Sequence, residues 1–214
     1  MQSDRRRGWD WSSSPWPWCR RSSTCSASRS RSGCRWGNPR LRSAVGEGAP
    51  LRTDRLVLTP LAVADAGEMV EVLSASELYT FTGGAPPDLE QLEERYRAQV
   101  AGPATGDEVW HNWIVRLADS GTAVGFVQAT VTRDAADVAW VIGAPHQNGG
   151  LAREAAAAMV LWLAGQGVSR FSARIHPRHI ASQRVAAAIG LKPTGQIDED
   201  GEVVWELSPV QSSG

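Results

Sequence analysis

Residues 138–153 read Val-Ala-Trp-Val-Ile-Gly-Ala-Pro-His-Gln-Asn-Gly-Gly-Leu-Ala-Arg, and an alanine-rich run follows them. The first five residues are apolar and β-prone, which is typical of a buried strand. A glycine-rich turn comes next and leads directly into a helix predicted over 151–164. The first N–H groups of a helix lack partners within it, and the helix dipole adds positive potential there. We therefore expect this turn to bind an anion, most often a phosphate.

The residues of the turn disfavour two common nucleotide-binding motifs. A P-loop requires G-x-x-x-x-G-K-[ST], and the turn has neither the Lys nor the hydroxyl residue that follows it. A dinucleotide-binding turn requires G-x-G-x-x-G with an acidic residue about 20 positions later, and this pattern is also absent. What the turn does contain is Gln-x-x-Gly-x-Ala over residues 147–152.

A second motif lies on the helix predicted after residue 175. His179, Ser182 and the pair Gly190-Leu191 stand at the spacing of Asn, Ser and Gly-(Phe/Leu) in a signature of the GCN5-related N-acetyltransferases, the GNAT family, with His in place of Asn. The Gln-x-x-Gly-x-Ala turn resembles the pyrophosphate-binding motif of the same family. Residues 51–207 therefore resemble a GNAT domain, and they are most similar to the branch of ribosomal-protein and amino-acid acetyltransferases.

The resemblance implies an α/β (α+β) fold. Its sheet is mixed and mostly antiparallel, with one parallel pair of strands that splay apart, and about four helices flank it. The residue pattern predicts six strands, at 55–61, 113–117, 124–131, 138–142, 170–175 and 203–207. It also predicts four helices: two that Asp65 and Asp88 cap, one from Leu151 that is apolar on most sides, and one after 175. Because a helix joins the strands at 138–142 and 170–175, these two strands should run parallel.

The resemblance also implies acetyl-CoA as the acetyl donor. Its pyrophosphate would lie on the turn, and its pantetheine would pair with the strand end at 141–143, where a backbone N–H would stabilise the thioester oxygen. The residues that the resemblance assigns to this site are Val141, Ile142, Gly143, Gln147, Asn148, Gly149, Gly150, Leu151, Ala152, Arg153, His179 and Ser182.

Acetyl transfer to an amine needs a base, because the amine must lose its proton, and an acid for the departing thiolate. The resemblance makes Ser182 the candidate acid or thiolate stabiliser. A tyrosine acid after the turn is excluded, because Tyr79 and Tyr96 are the only tyrosines and both precede the turn. The candidate bases are Glu108, His111 and Asp137.

Residues 49–214 contain no Cys, so an enzyme of this kind would transfer the acetyl group directly, without a cysteine thioester. We therefore expect an acetyl-CoA-dependent N-acetyltransferase whose acceptor is a primary amine on a protein N-terminus, an amino acid or a small molecule. The alternative is a non-catalytic GNAT-fold module that senses acyl-CoA.

Residues 1–48 differ in composition from the rest of the chain. They hold ten of the 22 Lys and Arg residues, three of the 23 acidic residues, five of the ten Trp and all three Cys. With almost no aliphatic residues to bury, this segment is predicted to be disordered. It is either an extension from a non-native start or a basic tail, and the composition favours the first, which makes nucleic acid an unexpected partner.

The remaining composition fits one domain over residues 49–210, followed by a disordered end at 211–214. Cys19, Cys25 and Cys34 are irregularly spaced with no His beside them, which disfavours a zinc site. No segment approaches the roughly 20 apolar residues that span a membrane. We expect a cytoplasmic monomer or homodimer that uses no metal and binds no membrane.

Overall fold

The computed structural model describes residues 50–104 and 106–207. The predictions for residues 1–48 and 211–214 concern segments outside these ranges. The strands are β1 (Leu51–Arg52), β2 (Leu56–Pro60), β3 (Val109–Leu117), β4 (Ala123–Thr132), β5 (Ala135–Ile142), β6 (Arg170–Ile175), β7 (Lys192–Ile197) and β8 (Val203–Leu207). The α-helices are α1 (Ala66–Val72), α2 (Leu89–Ala101), α3 (Leu151–Gly165) and α4 (Ile180–Ala188), and short 3-10 turns occur at Val63–Asp65, Ser76–Tyr79 and Ala144–His146.

The strands form one sheet in the order β1-β2-β3-β4-β5-β6-β8-β7. Neighbouring strands are antiparallel except for β5 and β6, which run parallel and are connected through α3. The predicted mixed sheet with a single parallel pair is therefore confirmed for the described part of the chain.

The two faces of the sheet carry separate apolar cores. On one face, α3 contributes Leu151, Ala155, Met159 and Leu163 to a cluster with inward-facing residues of β2 to β6. On the other face, α1 and α2 cover a smaller cluster that contains Met69, Leu92 and Ile114. The helix α4 packs beside α3 and against β6.

Several predicted elements need correction. The prediction missed β1 and β7; all six β7 residues are exposed and include Pro193 and Gly195, so no alternation of apolar residues marked the strand. Asp65 stands at the N-cap position of α1, but its side chain does not cap the helix, because its carboxylate accepts from the Ala62 N–H at 2.8 Å in the preceding 3-10 turn. Asp88 does cap α2, accepting from the Gln91 N–H at 2.9 Å.

The helices are less covered than their apolar residues suggested. Val100 of α2 is 50% exposed, and Leu161 of α3 is 76% exposed, so α3 is covered on one side rather than on most sides. None of the helices in the described ranges combines the length and the hydropathy needed to cross a bilayer.

Candidate functional site

The site is a gap that opens between β5 and β6. The two strands pair only over residues 135–137 and 170–172. Beyond this point β6 continues on β8, while residues 138–142 of β5 keep only β4 as a neighbour. One side of β5 therefore presents backbone groups without a strand to pair with, next to the turn that starts at Gly143.

Strand alternation identifies the backbone groups that face the gap. The Gly143 N–H donates to the Val124 carbonyl at 2.8 Å, so it points toward β4. Because successive residues of a strand bond to opposite sides, the N–H of Val141 also points to β4, whereas those of Ile142, Trp140 and Val138 face the gap. Of Val141, Ile142 and Gly143, only Ile142 therefore directs its N–H into the gap; Trp140 and Val138, which were not among the predicted residues, direct theirs there as well.

Residues 147–152, where phosphate binding was predicted and which are called the phosphate turn below, lead directly into α3. Asn148 and Gly150 adopt left-handed φ values of 64° and 77°, and Gly150 is the N-cap of α3. Within the described residues, no backbone hydrogen bond involves the N–H groups from Asn148 to Arg153; the Glu154 N–H is the first to bond, to the Gly150 carbonyl. These groups can bind an anion together with the dipole of α3.

Three side chains of the assigned site have defined positions around this turn. The Gln147 side-chain amide donates to the Ile142 carbonyl at 2.9 Å, which ties the turn to the end of β5. Leu151 is buried under the turn in the core, and the Arg153 side chain is exposed to solvent.

Across the gap lie His179, at the end of the loop between β6 and α4, and Ser182, in α4 itself. His179 is the N-cap of α4, and its ring stacks on Phe81 with centroids 4.6 Å apart. His176 also contacts Phe81, at 5.2 Å. Burial, followed by the neighbouring His176, lowers the pKa of His179, so its ring is neutral near pH 7. Ser182 lies in the first turn of α4 and is half-buried.

The three candidate bases occupy different environments. Asp137 is the last β5 residue that pairs with β6, and its carboxylate forms an ion pair with Arg174 at the inner end of the gap. Glu108 precedes β3 and accepts from the Trp110 indole N–H at 3.2 Å. The register aligns Trp110, Thr130 and Asp137 on neighbouring strands, so these side chains share the face of α1 and α2.

His111 lies on the opposite face, inside the core beneath α3. It is 5% exposed, stacks on Trp113 at 5.7 Å, and meets the edge of Trp162 of α3 at 5.2 Å. Burial lowers its pKa to about 4. The structure therefore places Asp137 at the gap and Glu108 on the same face, and it does not bring His111 to them.

One buried carboxyl near the gap was not predicted from the sequence. Glu202 precedes β8 and is 7% exposed; burial, then the charges of Asp198 and Asp200, raise its pKa to about 7. Its neighbour Asp198 lies 3.6 Å from Arg174, the partner of Asp137. The acidic stretch 198–202 has the composition of a solvated turn, so no sequence signal pointed to a buried carboxyl there.

Comparisons with known proteins agree with this geometry. Residues 55–192 match the profile of the acetyltransferase (GNAT) domain family. No curated protein matches the chain.

Solved structures share the fold at low sequence identity. A GNAT-family acetyltransferase from Bacillus anthracis superposes with a TM-score of 0.65 at 18% identity, covering 75% of this chain and 98% of its own. A structure described as a putative ribosomal-protein-serine acetyltransferase from Vibrio cholerae gives 0.60 at 19%, covering 75% and 98%. The aminoglycoside acetyltransferase AAC(6')-Ib in complex with coenzyme A gives 0.60 at 19%, covering 72% and 94%. The profile match spans well over half of the sequence, and the chain therefore belongs to the GNAT acetyltransferase family.

Proposed function

We propose that this protein is an N-acetyltransferase that moves an acetyl group from acetyl-CoA directly to a primary amine. The observation that carries the proposal is the free side of β5, which continues into a turn lined with unpartnered N–H groups. An extended ligand arm can pair with that side like an added strand while its phosphates lie on the turn. Membership of the family and the coenzyme A complex of the aminoglycoside enzyme support acetyl-CoA as that ligand.

The backbone of β5 would bind and polarise the donor. Residues 138–142 at about 3.3 Å per residue give a free stretch of about 16 Å along which an extended pantetheine can lie. One of the N–H groups of Val138, Trp140 and Ile142 would donate to the thioester oxygen as negative charge develops on it. Such a donor typically lowers the barrier by roughly 2.7–4 kcal/mol.

We assign Asp137 as the base and retain Glu108 as the second candidate. An arm laid along β5 from the turn brings its thioester to the inner end of the gap, where Asp137 lies. Asp137 would take the proton of the acceptor amine as the nitrogen attacks the thioester carbon. The carbon–sulfur bond would then break, and the thiolate would take the proton of the Ser182 hydroxyl, which would regain a proton from solvent. His111 is set aside as a base, because it is buried on the other face with a pKa of about 4.

Binding is the first test, and it uses the full chain. Acetyl-CoA at about 100 times its dissociation constant should stabilise the protein by roughly 2.7 kcal/mol. For a domain of this size the melting temperature should rise by about 5–10 °C. Absence of any shift with acetyl-CoA or a longer acyl-CoA would remove the donor from the proposal.

A pair of glycine variants locates the binding. Gly150 and Gly167 stand at the two ends of α3 with φ values of 77° and 95°, so a Val at either position is strained in the same way. Gly150→Val should weaken acetyl-CoA binding at least about tenfold, or about 1.4 kcal/mol, while the domain stays folded. Gly167→Val should bind acetyl-CoA normally; equal losses in both variants would place the ligand elsewhere.

Turnover is the second test. The full chain with acetyl-CoA is offered a panel of primary amines that includes N-terminal peptides, amino acids, polyamines and aminoglycosides, and free thiol release is measured. Acetylation of any amine supports the proposed activity. Tight binding of acetyl-CoA without turnover across the panel would instead support a sensor of acyl-CoA.

A further inference from the structure

We propose that Arg55 is a positioning residue that fixes the direction of the peptide group between Gly149 and Gly150 in the phosphate turn. The inference rests on the proposed function, since it concerns how the turn is kept ready for the donor's phosphates. Arg55 lies just before β2, far from the turn in sequence, and belongs to neither of the two family signatures.

The Arg55 guanidinium binds a carbonyl of the turn and a carboxylate of α3 at the same time. Its Nη1 donates to the Gly149 carbonyl at 3.0 Å. Its Nε donates to Glu154 Oε2 at 2.7 Å, and its Nη2 lies 2.6 Å from the same oxygen. The planar guanidinium has a rigid set of donors, so a single arginine can fix a carbonyl and a carboxylate at once.

Glu154 is in turn held in place from the β1–β2 segment. Its Oε1 accepts from the Thr53 hydroxyl at 2.6 Å and from the Arg55 backbone N–H at 3.1 Å. Burial alone would raise the pKa of Glu154, but the hydrogen bonds from Thr53 and Arg55 outweigh burial and hold the pKa below its usual range. The carboxylate is therefore ionised at neutral pH, and Arg55 keeps its partner.

The consequence for the turn follows from peptide geometry. In a planar trans peptide group the carbonyl and the next N–H point in opposite directions. Because Arg55 draws the Gly149 carbonyl toward itself, the Gly150 N–H points away from Arg55, out of the turn. The residues on both sides of this peptide are glycines, which rotate at low energetic cost, so nothing intrinsic to the turn prevents the peptide from reversing. Reversal would present a carbonyl oxygen, instead of an N–H, to the phosphates.

The test titrates coenzyme A and pantetheine into the full chain by calorimetry. Because pantetheine lacks the phosphates, a defect confined to the phosphate turn should weaken the binding of coenzyme A alone, whereas a general defect of the site should weaken the binding of both ligands. We expect Arg55→Ala to raise the Kd of coenzyme A about tenfold, equivalent to about 1.4 kcal/mol, and to leave the Kd of pantetheine unchanged. The matched control is Arg97→Ala, which removes an arginine that pairs with Glu93 on the surface of α2; it should bind both ligands as the wild type does.

Arg55→Lys distinguishes positioning from charge. A lysine keeps the positive charge but cannot hold the Gly149 carbonyl and Glu154 together, so its coenzyme A affinity should fall about as far as that of Arg55→Ala. Full affinity in Arg55→Lys would overturn the inference, and so would equal losses for coenzyme A and pantetheine in Arg55→Ala. A wild-type chain that fails to bind coenzyme A would instead overturn the proposed function itself.

The variants' melting temperatures complete the test. Arg55→Ala should unfold in one cooperative transition within a few degrees of the wild type, because the Arg55 side chain is 51% exposed, and ion pairs of exposed side chains contribute about 0–1 kcal/mol. A crystal structure of Arg55→Ala should show the 149–150 peptide reversed or in two orientations. The wild-type orientation retained at full occupancy would contradict the mechanism.

Discussion

The two halves of β5 differ in what holds them. Residues 135–137 lie between β4 and β6, and ion pairs flank them, with Asp134 3.0 Å from Arg170 and Asp137 paired to Arg174. Residues 138–142 have β4 on one side only, and their end depends on glycines at Gly125 and Gly143. The first half is held by backbone pairing on both sides and by ion pairs, whereas the second half pairs with β4 alone and lies in close contact with Gly125.

The paired half of β5 therefore stabilises the sheet, whereas the open half leaves backbone groups that a ligand can bind. A strand side that pairs with another strand has no free N–H groups, and one that is left open exposes an edge to unwanted pairing. Here the open side is only five residues long and ends in a turn, so a ligand arm of matching length can use it.

The largest effect is expected for Gly125→Ala. A Cβ at Gly125 would lie 2.1 Å from the Val141 carbonyl oxygen and 2.9 Å from the Ile142 Cα, so the open half of β5 would have to move. We expect unfolding to become easier by about 3 kcal/mol, measured by urea denaturation, together with a loss of acetyl-CoA affinity.

Gly67→Ala in α1 is the control for Gly125→Ala. No atom lies within 4 Å of its Cβ position, and alanine is the better helix former, so this variant should be more stable by about 0.5–1 kcal/mol. An unfolding curve for Gly125→Ala that coincides with the wild type would contradict the close contact between β4 and β5.

The next effect concerns catalysis at the inner end of the gap. If Asp137 is the base, Asp137→Asn should lower kcat by about 100-fold or more, with little change in the Kd of acetyl-CoA. Glu108→Gln should leave kcat within a few-fold of the wild type. The reverse ranking would transfer the role to Glu108.

Asp134→Asn provides the control for a lost ion pair. Asp134 lies in the turn just before β5, and its exposed carboxylate pairs with Arg170 of β6. Its replacement should change neither kcat nor the Kd of acetyl-CoA. A loss of kcat equal to that of Asp137→Asn would mean that the strands, and not a base, had been disturbed.

The sequence predicted the elements whose signals are local. Apolar runs indicated β4, β5 and β6, the Asp88 cap indicated α2, and the glycine turn followed by an apolar helix indicated the parallel crossover. These features depend on residues that are close together in the chain, so the local sequence is enough to predict them. The strand β7 was not predicted, because its exposed residues show no alternation of apolar and polar side chains.

The remaining parts of the site depend on contacts between distant segments. Arg55 and Glu154 are 99 residues apart, and the sequence offers no reason to pair them. The direction of the β5 N–H groups depends on the register with β4, which fixed Ile142 and Trp140 toward the gap and Val141 away from it. The burial of His111 depends on Trp162 of α3, and that of Glu202 on the folding back of the acidic turn.

The smallest effects concern two buried titratable groups that stand in contrasting regions. His111 lies in the closed core, and its folded-state pKa of about 4 is below its ordinary value of 6.5. It therefore contributes stability that is present above pH 6.5 and is lost as the pH falls toward 4. Glu202 lies at the open end, and its pKa of about 7 is above its ordinary value of 4.5. Its contribution is present below pH 4.5 and is lost as the pH rises through 7.

Between pH 5 and 7 these two contributions change in opposite directions, each by about 2 kcal/mol. Urea denaturation across this range should therefore show that His111→Phe loses stability relative to the wild type as the pH rises. Glu202→Gln should gain stability relative to the wild type over the same interval, because the wild-type carboxyl becomes charged there while the amide does not. The double variant should follow the wild-type pH dependence. If the single variants ran parallel to the wild type, both groups would have to be hydrated in the folded state, and the contrast between core and open end would not extend to their titration.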